Sequence, residues 1–196
     1  MRLLYLMPLL LCVASLSANS WAERWELSTD ESHLNFITTK ALHVSERNTF
    51  DRIHGTVEAM GSVQLIIELD SVNTGIPIRD QRVRDLLFRT MIFGTATIRA
   101  NVDLPRYTEL PVGESLITNK KIEIDLNGRK VGVVVDLLVS KLGENKIAVL
   151  NRSPLILTGS QFGLVDGIEK LRELAGLPSI GYTVPVTSYL VFRKKP

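Results

Sequence analysis

One alternation constrains this chain more than any other feature. Ala96, Ile98, Ala100, Val102 and Leu104 are apolar, and Thr97, Arg99, Asn101 and Asp103 between them are polar. Side chains leave a strand on opposite faces with period two, so the stretch predicts a strand with one dry and one wet face. The pattern recurs along the chain. Val63, Leu65, Ile67 and Leu69 share a face opposite Gln64, Glu68 and Asp70, after a Gly61 expected to mark a bulge or bend. Leu34 and Phe36 alternate more weakly over Ser32 to Thr38. In the last predicted strand, from Ile180 to Phe192, Ile180, Tyr182, Val184, Val186, Leu190 and Phe192 are in phase and Ser188 interrupts the row. Pro185 has no amide proton for a ladder, which places that strand partly at an edge or at a bulge. Ile147 to Leu150 and Leu155 to Thr158 are shorter candidates around Pro154.

The sharpest local signal lies between Lys121 and Val139. Ile122, Ile124 and Leu126 alternate with Glu123 and Asp125, Asn127-Gly128 follows, and then come Val131, Val133 and Val135. Asn-Gly between alternating runs favours a two-residue type I′ turn. That turn sets Ile124 opposite Val131, Ile122 opposite Val133, and Asp125 opposite Lys130 as a pair of unlike charges.

Two stretches change period. Val83, Leu86 and Leu87 fit one face of a short helix between about Ile78 and Phe88. Ile168, Leu171 and Ala175 share a face of a second, which Gly176 and Pro178 end. Asp166 and Glu169 have the spacing of a capping box at its start. No internal repeat, low-complexity tract or linker divides the chain.

The N-terminus reads as a secretory signal peptide over residues 1–22: Arg2, an apolar run from Leu3 to Leu16, and Ser20-Trp21-Ala22 with small residues where signal peptidase reads them. The mature domain is then 23–196, beginning at Glu23. Cys12, the single cysteine, falls in the removed segment behind Leu11 rather than behind a small residue, which favours an exported soluble protein over a lipoprotein. Without cysteine the mature chain holds itself by its core, which suits the periplasm.

Chemistry-bearing patterns are sparse. The formal net charge of +2 is too small for a nucleic-acid binder. His33, His43 and His54 are spaced too widely for a typical metal site. Gly159-Ser160-Gln161-Phe162-Gly163 puts its serine one position too early for a nucleophile elbow. No phosphate-cradling or dinucleotide loop is present, so no enzyme activity and no cofactor is expected. Arg79, Asp80, Arg82, Arg84 and Asp85 form a charged cluster with two readings. In one, Asp80 and Arg84 pair on a helix surface. In the other, the arginines are a basic rim for a polar head group at a cavity mouth. The Arg193-Lys194-Lys195-Pro196 end reads as a solvated tail, with membrane-surface contact as the second reading.

Several segments in order resemble the YceI-like family of polyisoprenoid-binding, lipocalin-like periplasmic proteins. They are Trp25-Glu26-Leu27, Ser32-His33-Leu34-Asn35-Phe36, Phe50 with Gly55, Ser71-Val72-Asn73-Thr74-Gly75, Arg79-Asp80-Gln81-Arg82-Val83-Arg84, Phe162-Gly163-Leu164 and Val184-Pro185-Val186. The resemblance runs from about Trp25 to Phe192. The chain departs from the pattern at Ser28, where the family often has Asp, at Glu31, where it has His, around Gly94 to Ile98, and at Asn127, which stands for His. The resemblance implies an elongated antiparallel barrel whose apolar lumen takes a long isoprenoid chain.

The resulting expectation is an all-β, antiparallel, lipocalin-like barrel with one or two short helices. It would be a periplasmic carrier for a polyisoprenoid or quinone-like lipid, with Phe36, Phe50 and Phe88 on the lumen wall and Arg79, Arg82 and Arg84 at a head-group rim. The competing expectation is a periplasmic interaction or assembly module with a filled core and no ligand. Lumen size separates the two.

Overall fold

A strand with one dry face must bury it, and this chain does so by closing its sheet on itself. The structure is a computed structural model and describes residues 23–195; the predicted signal peptide lies outside the described residues. The elements run β1 (Arg24–Leu27), β2 (His33–Lys40), β3 (Val44–Phe50), β4 (Ile53–Glu58), β5 (Ser62–Glu68), β6 (Val72–Asn73), α1 (Pro77–Arg82), β7 (Thr95–Asn101), α2 (Pro105–Thr108), β8 (Ser115–Leu126), β9 (Arg129–Gly143), β10 (Lys146–Asn151), β11 (Leu155–Thr158), α3 (Val165–Leu174) and β12 (Thr183–Lys194). Strands β1, β4, β5, β7, β8, β9, β10 and β12 are neighbours in that order, and β12 pairs back onto β1 to close an eight-stranded barrel. Every strand pairing is antiparallel. Closure removes the exposed edges that an open sheet would present. Farther along β12, β2 takes the place of β1 and carries β3 and β6 beside it.

The β8–β9 hairpin has the expected register: Ile124 faces Val131, Ile122 faces Val133 and Asp125 faces Lys130. Asn127 and Gly128 have φ of 53° and 73°, the positive pair of a type I′ turn. The Lys130 ammonium, however, reaches diagonally to Glu123 at 3.1 Å instead of pairing with Asp125.

Several local expectations need correction. Strand β7 ends at Asn101, although Val102 and Leu104 keep the inward phase. Of the bulge or bend expected at Gly61, the structure has a bend, at the end of the β4–β5 turn with φ of 80°. The helix predicted to Phe88 is α-helical only to Arg82 and π-helical over Val83–Phe88. Asp80 and Arg84 do not pair; Asp80 accepts instead from the backbone amide and hydroxyl of Thr74. Asp166 and Glu169 form no capping box, because α3 starts from Leu164 with no side-chain cap. The box that does form belongs to the 3-10 turn Gly159–Phe162, from Thr158 and Gln161. Arg193 and Lys194 are part of β12 and not a solvated tail, and Lys194 and Lys195 meet Glu23 and Glu26. Tyr182 precedes β12 and turns outward to donate to Glu169 at 2.7 Å.

Pro185 explains an irregular seam in the wall. Its neighbours on β12 pair with β11 on one side, but toward β2 the ladder stops at Val186 opposite Phe36. The next bridge joins Lys40 to Ile180, so four steps along β2 match six along the other chain.

Candidate ligand-binding lumen

The inward rows leave a lumen in two lobes. The larger has a volume of about 420 Å³ and the smaller about 190 Å³. Leu34, Ile98, Leu155 and Val186 border both and form a collar between them. Most of the wall is aliphatic or aromatic, supplied by the alternation read from the sequence: Ala96, Ile98, Ala100, Val102 and Leu104 all face the lumen. Ser188 faces it too, and its hydroxyl is satisfied by Asn151 at 3.1 Å.

The larger lobe reaches solvent beside Ile76 and Ile78, both exposed, at the start of α1. Phe36 on β2, Phe50 on β3 and Phe88 at the end of the π-helical stretch all line it. Their rings meet in sequence: Phe36 stacks on Phe50 with centroids 5.1 Å apart, and Phe88 lies tilted against Phe50 at 5.9 Å. A π-turn fits here because α3 packs hard against it. A side chain at Gly167 would come within 2.8 Å of the Leu86 carbonyl oxygen, so only glycine permits that approach.

The three arginines expected at a rim are in different situations. Arg79 lines the lobe and is engaged at each nitrogen: Nη1 donates to Glu46 at 2.6 Å, Nε to the Thr74 hydroxyl at 2.8 Å and Nη2 to the Thr74 carbonyl at 2.6 Å. Lys40 donates to the other oxygen of Glu46 at 2.9 Å. The Lys40 hydrogen bond, and then the Arg79 charge, hold the Glu46 carboxyl below its usual range. This cluster braces α1 against β3. Arg82 borders the lobe, and Arg84 does not.

The smaller lobe ends on a floor of buried Trp25, Leu104 and Tyr107, beside Ile147 and Phe192. Lys141, only 4% exposed, donates to the Thr108 carbonyl and pins α2 across this end. Three polar side chains face the smaller lobe near the floor: Tyr107, Thr118 and Lys120. The sequence reading missed all three. Carrying the β8 alternation two steps back from Ile122 would have put Lys120 and Thr118 on the dry face, which is the signal that finds them. Tyr107 lies on a four-residue helix with no periodicity of its own.

The histidines serve the outer surface. His33 stacks on Tyr189 with centroids 5.6 Å apart, and His54 lies 2.8 Å from Glu68. Among the described residues no group of His, Cys, Asp and Glu side chains is placed to hold a metal ion.

A lumen of this kind inside an eight-stranded barrel matches a known family model. The YceI-like domain model aligns with residues 25–192. This chain belongs to the YceI-like family. It is similar to a polyisoprenoid binding domain from Saccharophagus degradans implicated in plant cell wall breakdown, at 38% identity and a TM-score of 0.86, over 87% of this chain and 98% of that one. It shares its fold with Burkholderia cenocepacia BcnA at 19% identity and a TM-score of 0.66, over 84% and 98%. It also shares it with the Campylobacter jejuni YceI protein at 14% identity and 0.53, over 76% and 84%. A search of curated protein sequences returned no match.

Proposed function

We propose that this protein is a non-enzymatic periplasmic carrier that holds an isoprenoid or quinone-like lipid in its barrel lumen. The observation that carries the reading is the two-lobed apolar lumen itself, of about 420 and 190 Å³, behind the Phe36–Phe50–Phe88 row. Cavities of a few hundred Å³ with apolar walls are typical of small-molecule sites. Each buried CH₂ contributes ~0.8 kcal/mol, so a few isoprene units offset an association cost of roughly 4–15 kcal/mol. The similarity to a polyisoprenoid binding domain at 38% identity supports the same ligand class. A ligand-free assembly module would need bulky side chains meeting across the barrel, and the lumen weighs against that. Of the arginines expected to receive a head group, Arg82 is the one bordering the larger lobe without a partner among the described residues.

Native mass spectrometry of gently purified protein, followed by lipid extraction, tests the reading. A bound mass that extracts as an isoprenoid lipid supports it. A protein that carries no extractable lipid and binds no added isoprenoid overturns it. Export is tested by fractionation and N-terminal sequencing: a periplasmic chain beginning at Glu23 is expected, and a retained, lipid-modified Cys12 would defeat that part.

A further inference from the structure

We propose that the closed end of the smaller lobe is a recognition site for a hydrogen-bond-accepting oxygen, so that the lipid inserts head first and its chain trails toward the mouth. This rests on the carrier reading and adds to it the polarity of the ligand and the chemistry of its head.

The inward row of β8 runs Leu116, Thr118, Lys120, Ile122, so two polar side chains interrupt an otherwise apolar stave and face the smaller lobe. Lys120 Nζ lies 5.8 Å from the centre of the Tyr107 ring, and it has no hydrogen-bond or ion-pair partner among the described residues. Tyr107 is 5% exposed, and its hydroxyl is likewise without a partner among the described residues. Buried polar groups are nearly always satisfied, and one that is not calls for an explanation. Asn151 and Ser188, also on this lobe, have theirs. Asn151 accepts from the Ser188 amide at 2.6 Å and donates to the carbonyls of Ser153 and Val186. Lys141, a buried ammonium at this end where Lys120 is half-buried, is held by Thr108.

Among the described residues three groups remain open: an ammonium that can only donate, a phenol that donates readily, and the Thr118 hydroxyl, which donates and accepts. Their side chains line the same apolar chamber, where a hydrogen bond is stronger than at a wet rim. The complement is an oxygen with lone pairs to offer, such as a ketone, a quinone carbonyl or an ester. At the mouth, by contrast, Arg79 already uses each of its three nitrogens on Glu46 or Thr74.

The test uses the full mature protein, stripped of lipid, and two probes. Geranylgeranylacetone is an isoprenoid chain ending in a ketone; squalene is an isoprenoid hydrocarbon. Wild type is expected to prefer the ketone. Tyr107→Phe and Lys120→Met are each expected to lose about 3- to 10-fold in affinity for the ketone and to keep their affinity for squalene. Tyr107→Phe should melt no lower than wild type without ligand, since it removes an unpartnered hydroxyl. Equal losses on both probes, or squalene bound as well as the ketone by wild type, would overturn the head-first site and leave the carrier reading standing. So would a ketone preference that survives both substitutions and is lost in Arg82→Gln. Failure of wild type to bind either probe would overturn the carrier reading and this inference with it.

Discussion

At Phe36 the ring meets Phe50 on one side and the larger lobe on the other. Truncation there removes wall and leaves most packed neighbours in place. Phe36→Ala is therefore expected to cost about 1–3 kcal/mol in the lipid-free protein, below the ~3–5 kcal/mol of a fully packed Phe. Lipid should dissociate faster from it. Thermal melts and lipid retention on one preparation check both, and a loss of stability with unchanged lipid retention would contradict the placement. Glu31 gives a second test. Lys146 donates to one of its oxygens, and Arg193 to the other at 3.0 Å. The Lys146 hydrogen bond, with Arg193 in support, lowers its pKa to about 2. A carboxyl depressed in the folded state stabilises above its unfolded value, near 4.5, and that contribution disappears as pH falls through about 2. Glu31→Gln should thus flatten the acid limb of the melting profile between those values while changing its slope little above pH 5. At this scale the sequence was readable for apolar phase and poorly readable for polar partners. Glu46 and Arg79 meet across 33 positions, Glu31 and Arg193 across 162. Helix spacing could only offer Asp80 the nearby Arg84, and Thr74 takes Asp80 from outside the helix.

Elements were more legible, because period two and turn chemistry are local. The β8–β9 hairpin illustrates this: Asn-Gly selects the turn, the turn selects the register, and the register sends Ile122 and Ile124 inward. Gly128→Val should destabilise the protein by about 1–3 kcal/mol, since a β-branched residue resists positive φ. A Cβ there would also approach the Phe93 ring to 3.2 Å. An unchanged melting temperature would contradict this. The elements that escaped the sequence owe their form to neighbours. The π-helical stretch forms where Gly167 lets α3 sit against the Leu86 carbonyl, and α2 is held by Lys141 from another strand. Neither cause is visible within the segment it shapes.

For the molecule as a whole, closure of β12 onto β1 turns a set of amphipathic strands into a container, and a container is stabilised by what it holds. If lipid binds the folded chain alone, protein saturated at a hundred times Kd gains about 2.7 kcal/mol. Stripping the lipid should lower the melting temperature, and adding back an isoprenoid should restore it in proportion to the logarithm of its concentration. A melting temperature indifferent to delipidation would count against any resident ligand.

The seam beside Pro185 has a consequence for where the wall opens. Between the Phe36–Val186 and Lys40–Ile180 pairs, β2 and the chain opposite it share a stretch of wall with an incomplete ladder, and Phe36, Thr38, Val184 and Ile180 place that stretch against the larger lobe. Breathing of a barrel begins where the fewest hydrogen bonds must break together. The β2 amides turned toward the seam should therefore exchange with solvent sooner than those within the β8–β9 hairpin. A wall that loosens at one joint leaves the pairing of the rest of the barrel intact. Pro185, with no amide proton to give, thus fixes where the wall of the container is easiest to part.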